Sequence, residues 1–460
     1  MMMRATPSLC PATFVHTAIS YKRPVTARYG NCTHQRQGFP LPHTHRPLFR
    51  FSSLVLSLAL GLFPLGNVYA LPQNGAVVSG DAQIQQTNPT KLTVQQNSDK
   101  AIIDWDSFNI EQNETTEFVQ PHSQSLALNR VKGGNLSEIY GQLKANGRIL
   151  LINPNGIVFG GSAQVDVGGL IASTSNISNQ NFNQDNFSFD QVGLPNAAIE
   201  NHGQITAADE GLVALVAPRV ENNGIITARL GRVHLAGGDQ FTLDLYGDRL
   251  VQLQVGTDHL PASVVDNNGT ISANGGIIAL TANQAENAVD AVINMNGIAQ
   301  ANTIDQQDGR IILGQGTDRT NINGTVNAAQ IDVLGDKVAL YDNATLNANT
   351  PDGRGQIRVG GGLRGEPIDG ENSRRIYVAE GGTLSADATQ AGDGGDITVW
   401  AEELTGFSGH ASAKGGPNGG DGGFIEVSGK ENLILRAWPI PPPRRAPWVS
   451  CCWIPLILQL

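Results

Sequence analysis

Asn222-Asn223-Gly224-Ile225-Ile226-Thr227-Ala228, followed by Gly231-Arg232-Val233-His234-Leu235-Ala236, decides the fold because it recurs. Asn201-His202-Gly203-Gln204-Ile205-Thr206-Ala207 with Gly211 to Ala217 precedes it, and Asn267-Asn268-Gly269-Thr270-Ile271-Ser272-Ala273 with Gly276 to Ala282 follows. Each copy reads as an Asn-Gly turn, a short alternating strand, a Gly turn and a second alternating strand. Weaker copies begin near Asn296-Gly297, Asn323-Gly324, Asn343-Ala344, Gly381-Gly382 and Gly409. Most turns are about 20 to 28 residues apart, the period of one rung of a parallel β-helix. A single rung cannot bury its apolar face, so rungs must stack. Val, Ile, Leu and Ala at alternate positions then point inward and Thr, Asn, Arg and Gln outward. Asn residues stacked at the turns can form hydrogen-bonded ladders. The expected fold class is all-β: a right-handed parallel β-helix (solenoid) with an N-terminal β cap, its repeats spanning 196–436.

Composition agrees. Of 460 residues 54 are Gly, while aromatics make up only 6% and charged residues 15%, which favours turn-rich β-structure over a charged helical bundle. Residues 1–70 carry seven Lys or Arg and no acidic residue, so the formal charge of −11 leaves −18 on the rest of the chain. Such an acidic body repels phosphate backbones and argues against a nucleic-acid partner. The four cysteines are Cys10, Cys32, Cys451 and Cys452, and none lies between 71 and 436. That stretch has neither a disulfide framework nor a Cys-based metal site.

Upstream of the repeats, Ala145-Asn146-Gly147-Arg148-Ile149-Leu150-Leu151-Ile152-Asn153-Pro154-Asn155-Gly156-Ile157-Val158-Phe159-Gly160 sets two apolar runs around Asn-Pro-Asn-Gly. Pro fixes φ and suits the second turn position, while Asn and Gly tolerate tight turns. The reading is strand, type I turn, strand. Around it stand Leu128-Asn129-Arg130-Val131, Gly133-Gly134-Asn135, Ser137-Glu138-Ile139, Gly141-Gln142-Leu143, and downstream Gly160 to Leu170 and Ala172-Ser173-Thr174. Further upstream come Ile103-Asp104-Trp105-Asp106-Ser107-Phe108-Asn109-Ile110 and Glu117-Phe118-Val119-Gln120-Pro121.

This ordered series resembles the secretion domain of the filamentous-haemagglutinin family, the exported partners of two-partner secretion systems, over roughly residues 71–300. The resemblance implies a chain exported through the periplasm of a Gram-negative bacterium and then secreted or held at the cell surface. It implies an outer-membrane β-barrel transporter whose periplasmic domains recognise the segment, and an adhesin-like role toward a host-cell or glycan receptor. No cofactor is implied. Asn153, Pro154, Asn155 and Gly156 match the family's turn motif, whose expected role is structural, permitting rung formation and so secretion. Asn129, Arg130, Gly133, Gly134, Ser137, Asn146 and Gly147 are supporting candidates, with Asn129 and Arg130 bonding neighbouring turns. The companion Asn-Pro-Asn-Leu does not occur, which leaves the partner contact open. Trp105 and Phe108 read as core of the N-terminal cap.

Residues 1–70 read as an extended signal peptide: a basic flank, an apolar core at Phe51–Phe63 broken by Pro64, and Val68-Tyr69-Ala70 ahead of a signal-peptidase cut between Ala70 and Leu71. The core is shorter than the roughly 20 residues that a spanning helix needs. Asn183 to Asp190 reads as a polar loop or hairpin excursion. The tail 437–460, rich in Pro and ending in Cys451-Cys452-Trp453, breaks the pattern and reads as a frameshift after about Arg436.

A β-helix enzyme acting on polysaccharide is the rival, since its sites gather charged residues from adjacent rungs. The available groups, Asp239, Asp244, Asp248 and Arg249, or Asp305, Asp308, Arg310, Asp318 and Arg319, read as solvated turns and strand exteriors, so no catalytic residue is assigned. A structural surface or biofilm component is the third reading. His122, His202, His234, His259 and His410 lack metal-ligand spacing, and Gly392-Asp393-Gly394-Gly395-Asp396 reads as a rung turn rather than a calcium roll.

Overall fold

The computed structural model describes residues 71–245, 251–253, 263–282, 291–304, 307–436 and 450–451. Among the described residues three long sheets run along the chain, with 14, 11 and 13 strands. Apart from the capping strands they are parallel ladders between successive rungs, as in a parallel β-helix. One rung runs Arg219–Asn222 on the second face, Ile225–Thr227 on the third and Arg232–Gly237 on the first. The repeat therefore contains three strands where the sequence reads as two. Arg219–Asn222, leading into the Asn-Gly turn, was hidden because only Val220 and Asn222 of its four residues point into the core.

Columns of equivalent residues fill the interior. Ile205, Ile226 and Ile271 stack on the third face, and Val213, Val233, Ile278 and Ile311 on the first. All seven are at most 1% exposed, and each such side chain contributes about 1.5–3 kcal/mol by leaving water. At the N-terminal end, Ala82–Asn88 folds back antiparallel on Lys91–Gln96 and Ala76–Ser79 on Lys100–Trp105. These strands cap the solenoid as expected, with Trp105 and Phe108 buried beneath them in a T-shaped pair at 5.6 Å.

Two further expectations need correction. The first-face strand Leu212–Ala217 is buried at all six positions rather than alternating. Its outward Leu212, Ala214 and Val216 join a second apolar cluster with Leu150, Ile171 and Phe182. That cluster is covered by the excursion following Thr174, where the sequence reads as a polar loop or hairpin excursion; the segment does leave the solenoid, but with an apolar face. A short helix, Asn179–Asn183, starts on the Ser178 hydroxyl, and Ser188–Phe189 pairs antiparallel with Phe241–Leu243. Phe189 stacks on Phe241 at 4.2 Å, and Phe182 meets Phe187 edge-on at 6.2 Å. The phenylalanines are spaced among Asn and Gln, which disguised the segment as solvated.

The asparagine that opens each of the three strongest copies turns inward, not outward. Asn201 Nδ2 donates to Asn222 Oδ1 at 2.8 Å, and Asn222 Nδ2 to Asn267 Oδ1 at 2.7 Å, all three fully buried. The ladder of amides expected at the turns is therefore present, inside the cylinder wall. The following residue carries a second, exposed ladder: Asn268 Nδ2 donates to Asn223 Oδ1 at 3.0 Å and Asn296 Nδ2 to Asn268 Oδ1 at 2.9 Å.

The glycine after these residues is needed for close approach. A Cβ on Gly224 would sit 2.2 Å from the Gly203 carbonyl oxygen, and one on Gly269 2.2 Å from that of Gly224. The expected signal peptide, Ala70, and residues 437–449 and 452–460 of the tail lie outside the described residues, as do Asp248, Arg249, His259 and Asp305.

Candidate functional site

Arg148–Ile152 belongs to the first face and Ile157–Phe159 to the second, so Asn153-Pro154-Asn155-Gly156 is a corner between sheets. Gly156 N–H donates to Asn153 O at 3.1 Å, closing the β-turn. Gly156 takes φ +115°, a conformation open to glycine, and a Cβ there would meet Ala198 O at 2.9 Å.

Asn153 is fully buried and all its amide atoms are used. Its Oδ1 accepts from the N–H and the Nδ2 of Asn155, at 2.9 and 3.0 Å. Its Nδ2 donates to Asn135 O and the Ser137 hydroxyl, both at 3.0 Å. Asn155 Nδ2 also donates to Gly133 O at 2.9 Å. Pro154 O accepts from Leu194 N–H at 3.0 Å. The turn thereby fastens the preceding rung, at Gly133 to Ser137, and the end of the excursion, at Leu194. The structure brings Gly133 and Ser137 to the motif; Gly134 stands apart, with open space around its Cα.

The other supporting residues form separate groups. Asn129 is buried, accepts from Trp105 Nε1 at 3.0 Å and donates to Ala127 O at 3.1 Å, so it steadies the cap. Arg130 pairs with Asp104 at 3.4 Å and donates to the Asn179 amide oxygen. Burial pulls its pKa down, against the raising influence of Asp104. Asn146 exchanges two hydrogen bonds with the backbone of Gln120, at 2.7 and 2.8 Å, and Gly147 N–H donates to Gln120 Oε1 at 3.0 Å. Leu71 is 1% exposed and packs in the main core.

Sequence reasoning assigned no role to Gln96 and Gln120, stacked through a buried 3.1 Å amide contact, or to Asp104 and Asn179, which hold Arg130. The spacing of Gln96 and Gln120, one rung apart, was the available signal. The charged groups considered for catalysis do not converge: Arg310 grips Asp332 at 2.7 Å, Asp308 accepts from Thr303, and Asp318 accepts from Ala291 N–H. Among the described residues no three His, Cys, Asp or Glu side chains form a metal-binding group. His234 is buried, its Nε2 lies 2.9 Å from Thr281 Oγ1, and burial pushes its pKa down to about 3.

The family model described as the TPS secretion domain matches residues 69–328, spanning the cap, the turn network and the asparagine ladder. The chain belongs to the TPS secretion domain family. It is an exoprotein of the two-partner secretion type. The TPS chain is 34% identical over 305 residues to a heme/hemopexin-binding protein of Haemophilus influenzae strain Rd, covering 64% of this chain and 32% of the relative. A second H. influenzae protein of that name is 32% identical over 325 residues, covering 64% and 34%. The chain thus spans about a third of the length of the curated relatives it matches. The crystal structure of the HMW1 secretion domain from H. influenzae superposes with a TM-score of 0.69 at 29% identity, covering 79% of this chain and all of that one.

Proposed function

We propose that this chain is the secretion-directing region of an exported, adhesin-like exoprotein. The Sec machinery and signal peptidase deliver it to the periplasm, with cleavage between Ala70 and Leu71, and an outer-membrane β-barrel transporter recognises it there. Residues 71–300 carry the recognition, 196–436 continue the solenoid, and the folded product stays at the surface of a Gram-negative cell or leaves it. The family match over 69–328 carries this reading. The relatives named as heme/hemopexin-binding make a haem- or hemopexin-directed cargo the class to test beside host cells and glycans.

The Asn153–Gly156 turn serves export by letting the rung close. Three of its amide bonds, from Asn153 to Asn135 O and the Ser137 hydroxyl and from Asn155 to Gly133 O, are made only once the preceding rung lies beneath it, so formation of the turn and of the rung are coupled. Stacking rung by rung then releases free energy locally and draws the chain outward without a nucleotide.

The test is expression in a Gram-negative host with and without the barrel protein encoded beside the gene. Protein in the medium only with the barrel is the expected result. Equal release in its absence, or retention in both strains, overturns the reading. With the barrel, Asn153→Ala is expected to lower the secreted yield more than Asn223→Ala, whose exposed ladder is peripheral.

A further inference from the structure

Beyond residue 328, where the family match ends, the solenoid carries a cleft on its outer first face. Its floor spans three rungs: Gln356, Asp396 and Phe424 stand in one register column, with Arg358 and Thr398 in the next outward column. Residues 360–373 leave the solenoid after Gln356–Val359 and supply the wall through Leu363, Glu366 and Pro367. The open cleft has a volume of about 390 Å³, within the roughly 300–1,000 Å³ of small-molecule sites.

The wall is held in place. Arg364 N–H donates to the buried Glu426 carboxylate at 3.0 Å, and Asn372 Nδ2 donates to Gly365 O at 3.0 Å. Gly365 lies so flat on Trp400 that a Cβ would fall 2.5 Å from the indole. Arg364 and Asp369 both take positive φ, 58° and 52°, conformations that persist in non-glycine residues only where the surroundings enforce them. The floor is equally fixed: Arg358 Nε donates to Asp332 at 2.6 Å, and Asp332, 1% exposed, is gripped from the other side by Arg310.

We infer that this cleft binds a neutral or amino-sugar oligosaccharide, and so locates a receptor site of the exported protein downstream of its secretion domain. A carboxamide, a carboxylate and a guanidinium, planar groups that can meet vicinal sugar hydroxyls at two points, share one rigid surface with the Thr398 hydroxyl. Phe424, Leu363 and Pro367 supply apolar edges for the C–H face of a pyranose ring. The Asp396 carboxyl has no hydrogen-bond partner among the described residues, and partial burial raises its pKa, so a ligand donor would relieve it. Charge selects the sugar. Arg358 shares Asp332 with Arg310, which also lies 3.8 Å from Asp369, so with Glu366 and Asp396 the carboxylates outnumber the guanidiniums, which opposes sulfated or sialylated chains.

This inference rests on the receptor half of the proposed function and is tested apart from secretion. The purified full chain is titrated with triacetylchitotriose, cellotriose and a heparin hexasaccharide, with binding read by saturation-transfer NMR and calorimetry. Saturable binding of a neutral trisaccharide is expected, weakened roughly tenfold by Asp396→Ala and by Gln356→Ala, with unchanged thermal unfolding reporting an intact fold. Binding of neither trisaccharide, preference for heparin, or binding that both variants leave intact would each overturn it. Barrel-dependent export with no sugar binding refutes the cleft alone, and sugar binding without barrel-dependent export refutes the secretion reading alone.

Discussion

Asn153 Nδ2 donates to the hydroxyl of Ser137 across 3.0 Å, joining a corner of one rung to the second-face strand of the rung before it. The same side chain organises Asn155 through its oxygen, so one buried amide ties turn geometry to rung stacking.

Removing that amide leaves Asn135 O, the Ser137 hydroxyl and both Asn155 donors without it. Asn153→Ala is expected to cost about 2–4 kcal/mol, since each abandoned buried polar group carries a penalty of about 1–3 kcal/mol and the bonds form one network. Asn155→Ala should cost about half as much. Urea unfolding of the purified chain measures both, and equal midpoints for Asn153→Ala and wild type would refute the coupling.

The internal ladder makes a second case. Asn222 donates to Asn267 and accepts from Asn201. Asn222→Asp keeps the acceptor and loses the donor, facing a carboxylate toward the Asn267 oxygen. Such a buried charge costs several kcal/mol unless it binds a proton. The variant should therefore be less stable than Asn222→Ala at neutral pH and regain part of the difference in acid, a narrowing that thermal melts at pH 7 and pH 4 would reveal.

Glycine is required by space at one position and not at another. A Cβ on Gly224 would press 2.2 Å from Gly203 O, whereas one on Gly134 meets nothing within 4 Å. Gly224→Ala should cost at least about 1–3 kcal/mol, as overpacked sites do, and Gly134→Ala should stay within about 0.5 kcal/mol of wild type, as surface substitutions do. Comparable melting shifts for the two would contradict the stacked-glycine account.

His234 gives the pH dependence. Its pKa falls from 6.5 in the unfolded chain to about 3 when buried. The unfolded state therefore takes up a proton that the folded state refuses, and the stability associated with neutral His234 is fully present above pH 6.5. It is lost as pH falls from there toward about 3, a difference on the order of 5 kcal/mol in total. His234→Gln should flatten that slope while leaving the rest of the acid profile, which urea midpoints at pH 7, 5.5 and 4.5 would register.

The rung period and the Asn-Pro-Asn-Gly turn were legible because both are written in residues with narrow conformational meaning. Gly224, Gly269 and Gly297 recur where carbonyls approach, and Pro154 with Gly156 marks a corner. The third strand was not legible, since Arg219–Asn222 is too short and too polar to stand out from the turn it feeds. Nor were the partners of Asn153, because they come from Gly133 to Ser137 and become neighbours only when rungs stack. The amphipathic logic of Phe182, Phe187 and Phe189 was masked by amides whose side chains stay wet while the rings cover the first face.

The shared columns give the solenoid a quantised length. Duplicating or deleting a whole rung between Gly203 and Gly224 would leave the asparagine ladder, the glycine stack and the isoleucine column continuous, merely longer or shorter by one step. Inserting a single residue after Gly224 would instead invert side-chain parity, turning Ile226 outward and Thr227 into the core. Variation in such a chain is therefore tolerated in two forms: whole steps along the axis, and excursions such as the one after Thr174 that depart from a corner and return to the same address.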